Sequence, residues 1–166
     1  MMPKEVNLKI IGRAERIKIP MLGLKGVPAK VDTGADASSI WCSRLKVVDG
    51  KLRCVFFGKG NEFYTGGTVA FDLEDVDLTR VANSFGHREL RYKIKLPIEI
   101  KGRKINATFT LTDRSTKLYP ILIGRSLLKN KFLVDVGKGT PLHEEENERL
   151  KRLRKEMKRI KKELSR

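Results

Sequence analysis

Hydrophobic and polar residues alternate over two adjoining stretches of the chain, with a period of two. Tyr92, Ile94, Leu96, Ile98 and Ile100 fall on one face; after Lys101-Gly102 the pattern returns in Ile105, Ala107, Phe109 and Leu111. Such alternation predicts half-buried strands, and the two-residue break predicts a long hairpin. Shorter strands are expected at 6–11, 16–19, 27–31, 52–57, 68–73 and 132–136. Past Gly137-Lys138-Gly139-Thr140-Pro141 glycine disappears, charge thickens and the period lengthens. There Leu150, Leu153, Met157, Ile160 and Leu164 alternate spacings of three and four. This is a coiled-coil seam about two heptads long, on a helix that needs something to cover it. Its acidic start (Glu144, Glu145, Glu146, Glu148) and basic end suit the helix dipole. The expected organisation is an N-terminal arm or strand over 1–13, one mainly β domain over 14–142, and a basic amphipathic helix over 143–166.

Length and composition limit what the β body can be. With 166 residues and 40% hydrophobic content, the chain has material for one core rather than two. No apolar run approaches the roughly eighteen residues of a spanning helix. The start of the sequence shows no apolar segment leading to a small-residue cleavage site, so no membrane span and a cytoplasmic address are expected. Cys42 and Cys54 are the only cysteines; they are too few for a disulfide framework and match no zinc spacing, which favours reduced thiols. Lysine and arginine outnumber aspartate and glutamate 36 to 20, a formal charge of +16. An acidic partner is expected, whether nucleic acid, an anionic membrane surface or a Glu-rich peptide.

Two segments carry candidate chemistry. After the apolar approach of 27–31, Asp32-Thr33-Gly34-Ala35-Asp36 places a carboxylate at a strand end in a turn that glycine permits. Alone, Asp-Thr-Gly is a weak signal, equally at home in an ordinary strand exit. The second segment, 119–128, runs from a short apolar strand through Gly124 into a helical start. Gly58, Gly60, Gly66 and Gly67 lack the lysine and hydroxyl of a phosphate loop and suit hairpin turns. His87 and His143, far apart in sequence, are expected to be surface or structural residues rather than metal ligands.

Taken together, these features resemble the retropepsins, and more closely their cellular branch, the RimK-associated family often labelled "ATP-dependent zinc protease". The resemblance rests on Asp-Thr-Gly-Ala-x-x-Ser-Ser at 32–39, Thr112-Asp113-Arg114-Ser115, Tyr119-Pro120, Ile123-Gly124-Arg125 and Phe132-Leu133-Val134-Asp135, over roughly 14–136. It implies a single-lobe closed β-barrel of the acid-protease fold, with a C-terminal helix, acting as an aspartic peptidase. Such chemistry needs two carboxylates sharing one proton, and the chain has one Asp-Thr-Gly. A homodimer with an Asp32 from each copy at its axis is therefore implied.

The resemblance also assigns roles. Asp32 would be catalytic, Thr33 would tie the two turns across the axis, and Gly34 would let backbone and substrate approach. Substrate would lie against Ala35 and beneath a flap at 81–88, with Asn83, Ser84, Phe85 and Gly86 at its tip. Asp36 stands where much of the cellular branch has a basic residue. As in the retroviral proteins, it should pair with Arg125, beside Gly124, as structural support. The zinc and ATP of the family label find no H-E-x-x-H, no paired-cysteine motif and no phosphate loop, so no metal and no cofactor are expected. The expected partners are a second copy of the chain and a peptide or protein substrate, acidic or Glu-rich given the family's association with glutamate ligation. The competing reading is a catalytically idle retropepsin-like module that binds nucleic acid or a protein through its basic surface. Residues 46–77, extra relative to a minimal retroviral protease, have no assigned role.

Overall fold

The alternating stretches become strands. A computed structural model describes residues 7–82 and 85–165. It contains β1 (Lys9–Gly12), β2 (Ala14–Ile19), β3 (Leu24–Val31), β4 (Ser38–Val48), β5 (Lys51–Phe56), β6 (Thr68–Asp72), β7 (Asp77–Ala82), β8 (Arg88–Ile100), β9 (Arg103–Thr112), β10 (Ile121–Ile123) and β11 (Phe132–Asp135). A one-turn helix α1 (Arg125–Leu128) and a long helix α2 (His143–Leu164) complete it. The predicted hairpin is β8–β9, paired from Ile100↔Arg103 to Lys93↔Thr110. Both Lys101 and Gly102 have positive φ, 51° and 71°, the primed turn that matches strand twist.

Six strands close into a ring in the order β10–β3–β2–β8–β9–β4, because β10 pairs in parallel with β3 and antiparallel with β4. Closure removes exposed edges, and the inward positions fill the ring. Ile94, Leu96, Ile98 and Ile100 are 0–2% exposed, and Ala107, Phe109 and Leu111 face them, also buried. The fold is thus a mainly β closed barrel with a C-terminal helix; the pattern predicts the strands and the helix, and the family resemblance implies the closed barrel.

Two strands escaped the alternation, β4 and β7. The first residues of β4, Ser38, Ser39 and Ile40, are all buried, so both of its faces are covered and no period-two signal survives. After a bulge between Cys42 and Arg44, β4 leaves the ring to pair with β5, and β5 pairs with β6. Residues 46–77 therefore build most of a small leaf beside the barrel. Its inner face holds Phe56 against Phe57 and Phe71, with ring centroids 6.5 and 6.4 Å apart. Cys42 and Cys54 are buried free thiols on its strands.

The ends of the chain flank the barrel. β1 and β11 form a parallel two-stranded ribbon, Lys9↔Phe132 to Gly12↔Asp135; of the predicted strand at 6–11, Val6 lies outside the described residues. At the start of α2, Leu142 packs against Ala14, Leu118 and Tyr119. Glu146 accepts hydrogen bonds from the Tyr119 hydroxyl (2.7 Å) and from Arg13 (2.6 Å). No α2 residue is buried, so Leu150, Leu153, Met157, Ile160 and Leu164 leave the predicted seam uncovered within one chain. Among the described residues no helix is long and apolar enough to cross a membrane.

Candidate active site

β3 ends against β10, and the next residue is Asp32, whose amide donates to the Ile123 carbonyl at 2.9 Å. The chain then doubles back on itself. Asp32 Oδ1 accepts the amides of Gly34 (2.9 Å) and Ala35 (3.2 Å), the side-chain-capped turn that aspartate favours. One carboxylate oxygen is thereby fixed, and among the described residues no protein donor reaches Oδ2. Asp32 itself is half-buried.

The segment after β10 locks this turn. The Gly124 amide donates to Ser38 Oγ (3.0 Å), the Arg125 amide to the Ala35 carbonyl (2.8 Å), and the Ser126 amide to the Asp36 carbonyl (3.1 Å). A Cβ on Gly124 would lie 2.5 Å from the Ala37 carbonyl oxygen and 2.9 Å from that of Ala35. Glycine is needed there for close approach, not for its φ of −93°. Ser38 is fully buried, and the Thr110 hydroxyl donates to its carbonyl (3.2 Å), so both serve the lock. Thr110 has no role in the sequence analysis, and Ser38 enters it only as part of the run from Asp32 to Ser39.

Asp36 does meet Arg125, through Nε at 3.1 Å and a closer contact from Nη2. The side chains are 87% and 55% exposed. Exposed pairs contribute only about 0–1 kcal/mol, so the backbone bonds, not this pair, hold the turn.

Asp32, Gly34, Ala35 and Asp36 line a cleft of about 970 Å³ together with Thr79, Arg80, Val81 and Ala82 of β7. The hairpin β7–β8 is the element expected as a flap, and Gly86 adopts φ 78° near its tip. Asn83 and Ser84 lie outside the described residues. Phe85 is 87% exposed, and it is β7, not Phe85 or Gly86, that borders the cleft. Thr33 faces elsewhere, into a depression of about 790 Å³ shared with Leu8, Asp36, Arg125, Leu128, Phe132 and Val134.

The cleft is strongly basic. Arg13, Lys30, Arg80, Arg91, Arg114, Lys117 and Arg149 line it, against Asp32, Asp36 and Glu146. Arg114 donates to the Tyr119 carbonyl (3.0 Å) and to Ser39 Oγ (3.2 Å), and among the described residues it has no carboxylate partner. Burial first, then the neighbouring Arg91 charge, lowers its pKa; a guanidinium nonetheless stays protonated. Burial, then the bond to Glu146, pushes the Tyr119 phenol up, so it remains a donor. The convergence of Arg80 and Arg91 here has no local signal, because Arg80 sits on a strand without clear alternation and Arg91 on one whose signal is its apolar period. The same holds for Glu146, Arg149, Leu150 and Leu153 of α2, which also line the cleft. Among the described residues no three His, Cys, Asp or Glu side chains gather to hold a metal.

A family model, RimB-like, described as "Retropepsin-like aspartic endopeptidase RimB", matches residues 10–145. A "Probable alpha-L-glutamate ligase" of Desulfotalea psychrophila is 27% identical over 136 residues, 81% of this chain and 29% of that protein. Its namesake from Shewanella pealeana is 30% identical over 131 residues, 78% of this chain and 29% of that protein. The chain thus spans 29% of the length of these curated relatives. The crystal structure of Lpg0085, a Legionella pneumophila protein of unknown function, shares the fold with a TM-score of 0.56 at 23% identity, over 80% of this chain and 95% of that one.

Proposed function

The chain belongs to the RimB-like family of retropepsin-like aspartic endopeptidases, and from that premise we propose that it hydrolyses peptide bonds as a homodimer with one Asp32 from each copy. The carrying observation is the Asp32 carboxylate, fixed through Oδ1 by two amides and, among the described residues, free of protein donors at Oδ2, within a cleft of about 970 Å³. With two such groups adjacent, one proton is shared. The ionised carboxylate takes a proton from water as its oxygen attacks the scissile carbonyl, and the protonated one donates to the carbonyl oxygen. Collapse of the tetrahedral diol then breaks the C–N bond as the amine gains a proton.

Asp36 is a poor second acid for this dyad, being engaged by Arg125. Association of two copies is supported by the ribbon β1–β11, where Ile10 and Leu133 are 55% and 57% exposed, with Val136 beyond it at 73%. The same ribbon borders the depression that contains Thr33. Adjacent apolar surface of this kind suits a contact between like subunits.

An acidic or Glu-rich substrate is supported by the seven cations of the cleft against three acids. The relatives' names concern glutamate ligation; chains extended by glutamate would be acidic in the required sense.

The test compares peptide hydrolysis by the parent and Asp32→Asn proteins across acidic and neutral peptides at low and high salt. The expected result is loss of cleavage in the variant with an unchanged melting midpoint, and a preference for acidic peptides that shrinks as salt rises. Cleavage that survives in Asp32→Asn removes the mechanism. No cleavage by the parent, together with steeply salt-dependent nucleic-acid binding, favours the idle basic module instead.

A further inference from the structure

We propose that α2 is a specificity-determining wall of the cleft, in which Arg149, Leu150 and Leu153 bind the outer part of an acidic peptide by taking a carboxylate side chain beside an apolar one. The catalytic consequence rests on the peptidase reading, but the binding does not. The helix from Glu146 onward lies past the family match, which ends at 145, so this wall is a feature of the chain rather than of the matched region.

The placement of α2 is enforced at its first turn. Leu142 is buried with Ala14 and Tyr119, and Glu146 is held from two sides, by the Tyr119 hydroxyl and by Arg13. Because Tyr119 and Arg13 line the cleft themselves, this pin fixes the helix to the cleft rim. Residues 146, 149, 150 and 153 follow at helical spacings of three and four, so one face is presented continuously. All four line the cleft, whereas Met157, Ile160 and Leu164 of the same seam do not.

The chemistry of that face defines its ligand. Leu150 and Leu153 are 49% and 51% exposed, leaving branched apolar surface uncovered inside a polar cleft. Arg152 and Arg159 pair with Glu148 and Glu163 along the helix. Arg149 has no carboxylate partner among the described residues, and neither do Arg114 and Lys117 of the same cleft. An extended peptide carrying carboxylates and an apolar side chain satisfies both at once.

Binding is measured by fluorescence anisotropy on the full chain carrying Asp32→Asn, so that no probe is consumed. The probes are a labelled peptide alternating Glu and Leu, its Gln/Leu counterpart and its Glu/Ser counterpart. Arg149→Glu should weaken the Glu/Leu probe about tenfold and leave the Gln/Leu probe unchanged. Leu150→Ser with Leu153→Ser should erase the advantage of the Glu/Leu over the Glu/Ser probe. Lys158→Glu, farther along α2 and outside the cleft lining, should change neither.

Three outcomes overturn the proposal: unchanged binding in the two cleft variants, a loss with Lys158→Glu equal to that with Arg149→Glu, or no binding of the Glu/Leu probe by the Asp32→Asn parent. Binding that behaves as expected while the unmutated chain cleaves nothing would sink the peptidase reading and leave the wall standing. Cleavage that depends on Asp32 but ignores Arg149, Leu150 and Leu153 would do the reverse.

Discussion

Replacing Gly124 with alanine isolates the contact that holds the Asp32 turn. The added methyl would meet two carbonyl oxygens, of Ala37 at 2.5 Å and Ala35 at 2.9 Å, and the Ala37 carbonyl carbon at 2.6 Å. All three are backbone atoms, so no rotamer change relieves the clash and the turn itself must move. Overpacking of this kind costs about 1–3 kcal/mol, and a rigid obstacle places it near the upper figure. Alanine accepts a φ of −93°, which returns about 0.4–1 kcal/mol through the unfolded chain. The net loss is about 2 kcal/mol, or about 4–8 °C in melting midpoint for a chain of this size. The assay is a thermal melt at fixed protein concentration, since any association of copies would tie the midpoint to concentration. Gly34→Ala provides the contrast, since its methyl would meet only Asp32 Oδ1, at 3.2 Å. It should cost less than about 1 kcal/mol yet lower peptide cleavage by displacing the carboxylate. A Gly124→Ala protein melting within about 2 °C of the parent would refute this account of the turn.

Asp36→Ala should shift the midpoint by no more than about 3 °C, because the pair with Arg125 is exposed and the backbone bonds from Arg125 and Ser126 persist; a drop beyond about 6 °C would show the pair to be a true brace. Tyr119→Phe removes one of the two donors to Glu146 and should destabilise by about 1 kcal/mol. Denaturant titration reads that loss, and proteolysis should nick α2 sooner than in the parent if its first turn is pinned as described.

The parts of the fold legible in the sequence were those with one apolar face, whether the barrel buries it, as in β8 and β9, or one chain leaves it exposed, as in α2. β8 and β9 declare themselves through Ile94 to Leu111, and α2 through its three-and-four spacing. β4 was invisible because its buried start contains Ser38 and Ser39, whose hydroxyls serve Gly124 and Arg114, and its exposed end contains Arg44 and Lys46. Polar residues that are buried and satisfied look like loop when read one at a time. The pairing of Asp36 with Arg125 was reachable by resemblance, its slight energetic weight only from exposure. The convergence of Arg80, Arg91, Arg114 and Arg149 on one cleft depends on ring closure and on the tilt of a helix, neither of which a local pattern encodes.

β10 sits between β3 and β4 and supplies the partner for the Asp32 amide. The acid is thus specified in the first fifth of the chain and immobilised by residues near its last quarter. A nascent chain emerging from the ribosome has the Asp32 carboxylate long before it has the clamp, and this long-range closure is slow by nature. Under the peptidase function proposed above, cleavage competence therefore waits on the C-terminal part of the chain.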